Sequence, residues 1–170
     1  MKIVKVISGG QTGADRAALD AAMACGVEHG GWCPRGRLSE DGPISSTYNL
    51  RETTEEEYPV RTRMNVEAAD LTVIFSRGPL TGGSLLTLEF AKAAKKPCVH
   101  IDLLEFSEVF QGLEKQGRVL RRFFQGLEKT GRNVPRVGKT VLNVAGPRGS
   151  NDPDIYDAVY AAMIRLLQRV

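Results

Sequence analysis

Short apolar runs alternate along this chain with longer stretches whose apolar positions recur at helical spacing. Ile3-Val4-Lys5-Val6-Ile7 is rich in β-branched residues and ends in a glycine turn, which predicts a first strand. Asp15 to Cys25 is alanine-rich and apolar nearly all round, which predicts a buried helix with Gly26 as its C-cap. A short strand is expected near Gly31-Trp32-Cys33. Pro34 to Thr54 is a long polar stretch, and loops of that length in compact domains are usually functional or mobile. A helix from Pro59 to Ala69 follows, with proline at its first position and Val60, Met64 and Ala68 on one face. Leu71 to Phe75 reads as a third strand. Ser84 to Lys95 reads as a helix with cations in its last turn, where the dipole favours them. Pro97 to Asp102 and Thr140 to Val144 read as the fourth and fifth strands. Ile155, Val159, Ala162, Met163 and Leu166 mark a closing helix, with Asp152 as N-cap and Pro153 as its first residue. This alternation predicts an α/β fold: a three-layer, Rossmann-like domain spanning residues 1–170, with a mostly parallel sheet covered on both faces.

One segment breaks the rhythm. Phe110 to Arg118 recurs as Phe124 to Arg132, with only Gln116 and Thr130 differing. Its Phe and Leu positions have heptad-like spacing, while its glycines weaken a helix. The segment reads as a duplicated helical insert near 109–133 that lengthens the connection between the last two strands.

Composition narrows the class. A chain of 170 residues with 42% hydrophobic content can bury a core, and no stretch has the roughly 20 apolar residues of a membrane span. The N-terminal apolar run is too short for a signal peptide, and three scattered cysteines suggest reduced thiols, so a cytoplasmic location is expected. No cysteine pair has metal-ligand spacing, and no metal site is expected. The net charge of +3 hides an asymmetry: Gln111 to Lys139 carries eight basic residues against Glu114 and Glu128. A solvated helical face explains this better than nucleic-acid binding, since no aromatics interleave to stack bases.

The candidate chemistry lies in the loops. Ser8-Gly9-Gly10-Gln11-Thr12-Gly13-Ala14-Asp15 joins the first strand to the first helix, where glycines expose backbone N–H groups and the helix dipole favours a phosphate. The spacing is close to the dinucleotide fingerprint, but Pro34-Arg35-Gly36-Arg37 stands where its acidic residue would be. Gly9, Gly10, Gln11, Thr12, Gly13 and Arg16 are therefore ligand-binding candidates; a tight structural turn is the alternative. Thr12 and Asp15 have capping-box spacing, which would make both structural; otherwise Asp15 is a candidate acid or base. In Gly78-Pro79-Leu80-Thr81-Gly82-Gly83-Ser84 a glycine pair again precedes a helix, so Thr81, Gly82, Gly83 and Ser84 join the ligand set, with Thr81 or Ser84 as a plain N-cap otherwise. Glu89, one to two turns further on, is a second acid–base candidate or a solvated residue. Arg148, in Gly146-Pro147-Arg148-Gly149-Ser150, suits a planar anion; Arg35 and Arg37 could clamp one or form a solvated cluster. No nucleophile and base stand out as a pair.

Ile7 to Arg16, Gly31-Trp32-Cys33-Pro34, Ser39-Glu40-Asp41-Gly42, Gly82-Gly83-Ser84 and Leu142 to Arg148 together resemble the bacterial putative molybdenum carrier family. The resemblance spans nearly the whole chain apart from the duplicated insert. It implies a carrier of molybdenum cofactor (molybdopterin), a phosphorylated pterin, in a Rossmann-like group that includes LONELY GUY-type phosphoribohydrolases and DNA-processing proteins. Gly82, Gly83 and Glu89 match the P-G-G-x-G-T-x-x-E pattern of those phosphoribohydrolases, while Thr81, Leu85 and Leu86 depart from it. The first reading is thus a binding or carrier protein for a phosphorylated pterin or nucleotide-like small molecule, with the ring under the Pro34 to Thr54 loop. The alternative is a nucleoside monophosphate phosphoribohydrolase-like enzyme using Glu89 or Asp15. A nucleic-acid or protein interaction module using the basic segment ranks third. Self-association into a homo-oligomer is also expected from the resemblance.

Overall fold

The computed structural model describes residues 2–104 and 138–168. In chain order the elements are β1 (Lys2–Ile7), α1 (Ala14–Ala24), β2 (Glu28–Gly30), β3 (Trp32–Cys33), β4 (Leu38–Ser39), β5 (Gly42–Pro43) and β6 (Arg51–Glu52). There follow α2 (Tyr58–Ala68), β7 (Leu71–Ser76), α3 (Gly82–Ala93), β8 (Cys98–Asp102), β9 (Lys139–Ala145) and α4 (Ile155–Leu167). The duplicated 110–118 and 124–132 segments lie outside the described residues.

Five strands form one sheet in the order β2-β1-β9-β7-β8, and every pairing in it is parallel. The apolar runs explain this. β7 is buried at all six positions, as a central strand covered on both faces must be. Helices α1 and α4 pack together, and α2 packs on α3. One side of the sheet, through Val6, Val73, Phe75, Leu142 and Val144, meets Ala17, Ala21, Val159 and Met163 of α1 and α4 in the main core. The closing helix buries the apolar stripe expected of it, but it begins at Ile155, with Asp154 as N-cap. Asp152 instead accepts the Asp154 N–H at 3.2 Å, in the turn just before the helix, and α4 has no side-chain cap bond.

The strand order places a site. If the β9–α4 unit stood at the front of the chain, the sheet would read 3-2-1-4-5, the doubly wound order. In such sheets a crevice opens beyond the carboxyl ends of the first and fourth strands, where the crossovers diverge to opposite faces. Here those two strands are β9 and β7.

Two local readings differ from the pattern. The second strand of the sheet is Glu28–Gly30, and Trp32–Cys33 turns away to pair with Arg51–Glu52. Asn65 fixes that departure: its Oδ1 accepts the Trp32 N–H and its Nδ2 donates to the Trp32 carbonyl. For the same reason α2 buries Thr62, Asn65 and Val66, with Val60 and Met64 half-buried and Ala68 exposed. Polar residues with backbone partners displace the apolar face that spacing alone suggests.

The segment 34–54 is built, with β4, β5, β6 and a turn of 3-10 helix at Arg35–Arg37. Ile44 and Leu50 form a small core with Leu19 and Cys33. The Arg37 guanidinium donates to the carbonyls of Ile44, Ser45, Tyr48 and Leu50, holding the loop closed. Ile44 and Leu50 thus occupy the space between this loop and α1.

Candidate ligand-binding site

The parallel sheet brings the β1–α1, β7–α3 and β9–α4 connections to one edge. Between them lies a cleft of about 620 Å³, within the usual size range of small-molecule sites. It opens at the β9/β7 divergence. Of the sequence candidates, Gln11, Asp15, Thr81, Gly82, Gly83, Ser84 and Arg148 line it. Tyr58 and Arg61 from α2 and Arg77 after β7 join them.

Three helix N-termini meet this edge, and their state differs. An α-helix leaves its first N–H groups without intrahelical partners. At α1 the protein supplies the partners itself. Ala14 N–H donates to the Pro147 carbonyl at 3.2 Å, and the Asp15 carboxylate accepts the Gln11 N–H at 3.4 Å. The Thr12–Asp15 capping box does not form, because Gly13 is the N-cap and Thr12 is engaged elsewhere. Thr12 Oγ1 donates to Glu40 and accepts the Gly149 N–H. Gly9, Gly10 and Gly13 are buried, Gly10 under Leu50 and Ile44 and Gly13 against the Pro147–Gly149 backbone. At α4, the Asp152 carbonyl accepts the Ile155 N–H, and the Asp152 and Asp154 carboxylates face Arg77.

The N-terminus of α3 is open. Thr81 stands at the N-cap without a side-chain cap bond, and its carbonyl accepts the Ser84 and Leu85 N–H groups. Gly82 and Gly83 N–H have no acceptor among the described residues, and both residues are exposed. A β-carbon at Gly83 would meet nothing within 4 Å. The folded chain itself therefore gives no packing reason for glycine there, in contrast to Gly13.

The cations around the cleft are held in place. Arg61 Nη1 donates to Asp15 Oδ2 at 2.8 Å, with side-chain exposures of 15% and 5%. Burial pushes the Asp15 carboxyl above its ordinary 3.8, opposed by the Arg61 charge and by hydrogen bonds from Arg61, Gln11 and Gly9. Arg61 and Arg148 both face the Tyr58 ring, at 5.8 and 5.9 Å from its centroid. Arg77 lies 3.1 Å from Asp154 and 3.7 Å from Asp152.

Two buried donors on residues that line the cleft stand unpaired. Gln11 is 6% exposed, and its Oε1 accepts from Thr12 N–H and Glu40 N–H, each at 3.0 Å. Those two bonds fix the amide orientation, since the reverse would set donor against donor. Gln11 Nε2 and Arg61 Nε are then left without an acceptor among the described residues. Each such buried, unpaired group costs about 1–3 kcal/mol.

The remaining candidates sit elsewhere. Arg16 is held by Asp41 and Ser39, and that partnership draws the Asp41 carboxyl well below the usual carboxylate range. Arg35 pairs with Glu56 on the surface, and Arg37 is consumed by its four carbonyls. Glu89 is exposed on α3 and does not line the cleft. Sequence reasoning missed Tyr58, Arg61 and Arg77. Arg61 meets Asp15 across 46 positions, with no local motif around it.

The sequence profile of the circularly permutated YpsA SLOG family matches residues 6–167. The crystal structure of a putative molybdenum carrier protein from Syntrophus aciditrophicus SB superimposes with a TM-score of 0.80 at 42% identity, covering 97% of this chain and 94% of that one. No curated protein matches the chain. The permutation in the family description agrees with the sheet order, in which the last strand occupies the position of the first.

Proposed function

Because the chain belongs to the circularly permuted YpsA SLOG family, and because its sheet opens a cleft at the β9/β7 divergence, we propose that it is a carrier for a phosphorylated small molecule, molybdenum cofactor being the favoured cargo. One observation carries this reading: the exposed α3 N-terminus, where Gly82 and Gly83 N–H are unengaged among the described residues and the Gly83 Cβ direction is open. Backbone donors at a helix N-terminus suit a phosphate. Tyr58, Pro59, Pro79 and Pro147 supply apolar walls for a ring.

The donor set fits this cargo. Among the described residues no cluster of His, Cys, Asp and Glu could hold a metal ion, and the cleft offers amides and guanidinium groups instead. Such groups grip oxygen atoms of a phosphate or an oxo ligand, so molybdenum would arrive on ligands of its own. The hydrolase alternative lacks a poised carboxylate. Glu89 lies off the cleft, Asp15 is held by Arg61, and Asp152 accepts the Asp154 N–H and faces Arg77.

Gly83→Ala tests the reading. Alanine suits a helix better than glycine by about 1 kcal/mol, so stability should hold or rise slightly. Affinity for a nucleoside monophosphate or pterin phosphate, measured by calorimetry, should fall about tenfold or more, as the methyl group displaces the phosphate from the amides. Unchanged affinity would contradict the α3 site. The wild-type protein should release no free base from the monophosphates, and protein purified from its host should carry a fluorescent pterin.

A further inference from the structure

We propose that the floor of the cleft selects the ring of its ligand: Gln11 Nε2 and Arg61 Nε donate to a heteroaromatic ring that presents an oxo group beside a ring nitrogen, as an oxopurine or oxopterin does, and they discriminate against an amino group at that edge. This rests on the carrier reading above and adds the identity of the ring edge.

Gln11 and Arg61 both line the cleft, and their Nε2 and Nε atoms are buried with no acceptor among the described residues. They share an anchor. Asp15 Oδ2 accepts both the Gln11 N–H, at 3.4 Å, and Arg61 Nη1, at 2.8 Å. Asp15 also settles the charge of their partner. It neutralises Arg61, so the floor is a pair of donors with little net charge, which favours a neutral acceptor edge over a second phosphate. Neither donor is free to become an acceptor. The Gln11 carboxamide is locked by the Thr12 and Glu40 N–H groups, and a guanidinium has only donors. A guanine-type edge shows two adjacent acceptors, O6 and N7, whereas an adenine-type edge shows N7 beside an amino donor. The first satisfies both floor donors; the second sets donor against donor.

The test measures dissociation constants for GMP, IMP and AMP. Wild-type protein is expected to bind GMP and IMP about tenfold or more tighter than AMP. Gln11→Glu keeps an oxygen for the Thr12 and Glu40 N–H groups but turns the free donor into an acceptor, so the preference should vanish or reverse. If circular dichroism shows that variant to be unfolded, Arg61→Lys keeps a cation on Asp15 while removing the Nε donor, and should narrow the preference to within about threefold. Equal or tighter AMP binding by the wild-type protein overturns the proposal, as does a preference that survives in the folded variants. Gly83→Ala separates the two readings. It should weaken all three nucleotides alike; if it weakens none, the phosphate site is wrong whatever the ring preference. Failure of all three to bind wild-type protein overturns both.

Discussion

Gly13→Ala is expected to destabilise the protein by about 3 kcal/mol or more, a Tm fall of roughly 10 °C, although Gly13 looks in sequence like a phosphate-loop glycine. Its backbone lies at φ 75°, ψ −128°, a region reserved almost wholly for glycine. A β-carbon there would lie 2.6 Å from the Pro147 carbonyl oxygen, 2.8 Å from Gly149 N and 2.9 Å from the Arg148 carbonyl carbon. All three are backbone atoms on the loop after β9, and that loop is tied to α1 through Ala14 N–H and Thr12 Oγ1. None can swing aside as a side chain would. Thermal or urea denaturation checks this. A loss below about 1 kcal/mol would mean that the two loops do not approach as described.

Arg61→Met should cost a similar amount, about 3 kcal/mol at neutral pH, because it strands a carboxylate that is 5% exposed. The loss should depend on pH with a definite sign. Burial already holds the folded Asp15 pKa above its ordinary 3.8, and removing the opposing cation raises it further. A group that binds its proton more tightly when folded contributes stability that is fully present below 3.8 and is lost as pH rises through the folded value. The deficit of Arg61→Met should therefore shrink as pH is lowered from 7 towards 4, and the double variant with Asp15→Asn should abolish that dependence. A deficit that is constant with pH would show that Asp15 does not depend on Arg61.

Which parts of this were readable from residue order follows from range. Leu71 to Ser76 and the Ile155–Leu166 stripe declare strand and helix locally, through side-chain period alone. The position of β9 in the middle of the sheet does not, since strand order depends on crossovers that no local pattern encodes. The cleft was half legible. Thr81, Gly82, Gly83, Ser84 and Arg148 sit on loops with glycine and cap chemistry, and the structure brings them together with Gln11. Arg61 and Tyr58 lie on a helix with an unremarkable pattern, and only the pairing with Asp15 gives them meaning. Glycine is the hardest residue to read. Gly13 and Gly83 look alike in sequence, yet one is required by the chain's own backbone and the other has open space beside it.

On the carrier proposal, the open helix N-terminus at α3, and not the glycine loop before α1, receives the ligand's phosphate. Backbone amide chemical shifts recorded while inorganic phosphate or GMP is titrated into the protein test it directly. Saturable shifts are expected at Gly82, Gly83 and Ser84 with Gly10 and Gly13 nearly still; large shifts at Gly10 and Gly13 with α3 unmoved would overturn the proposal.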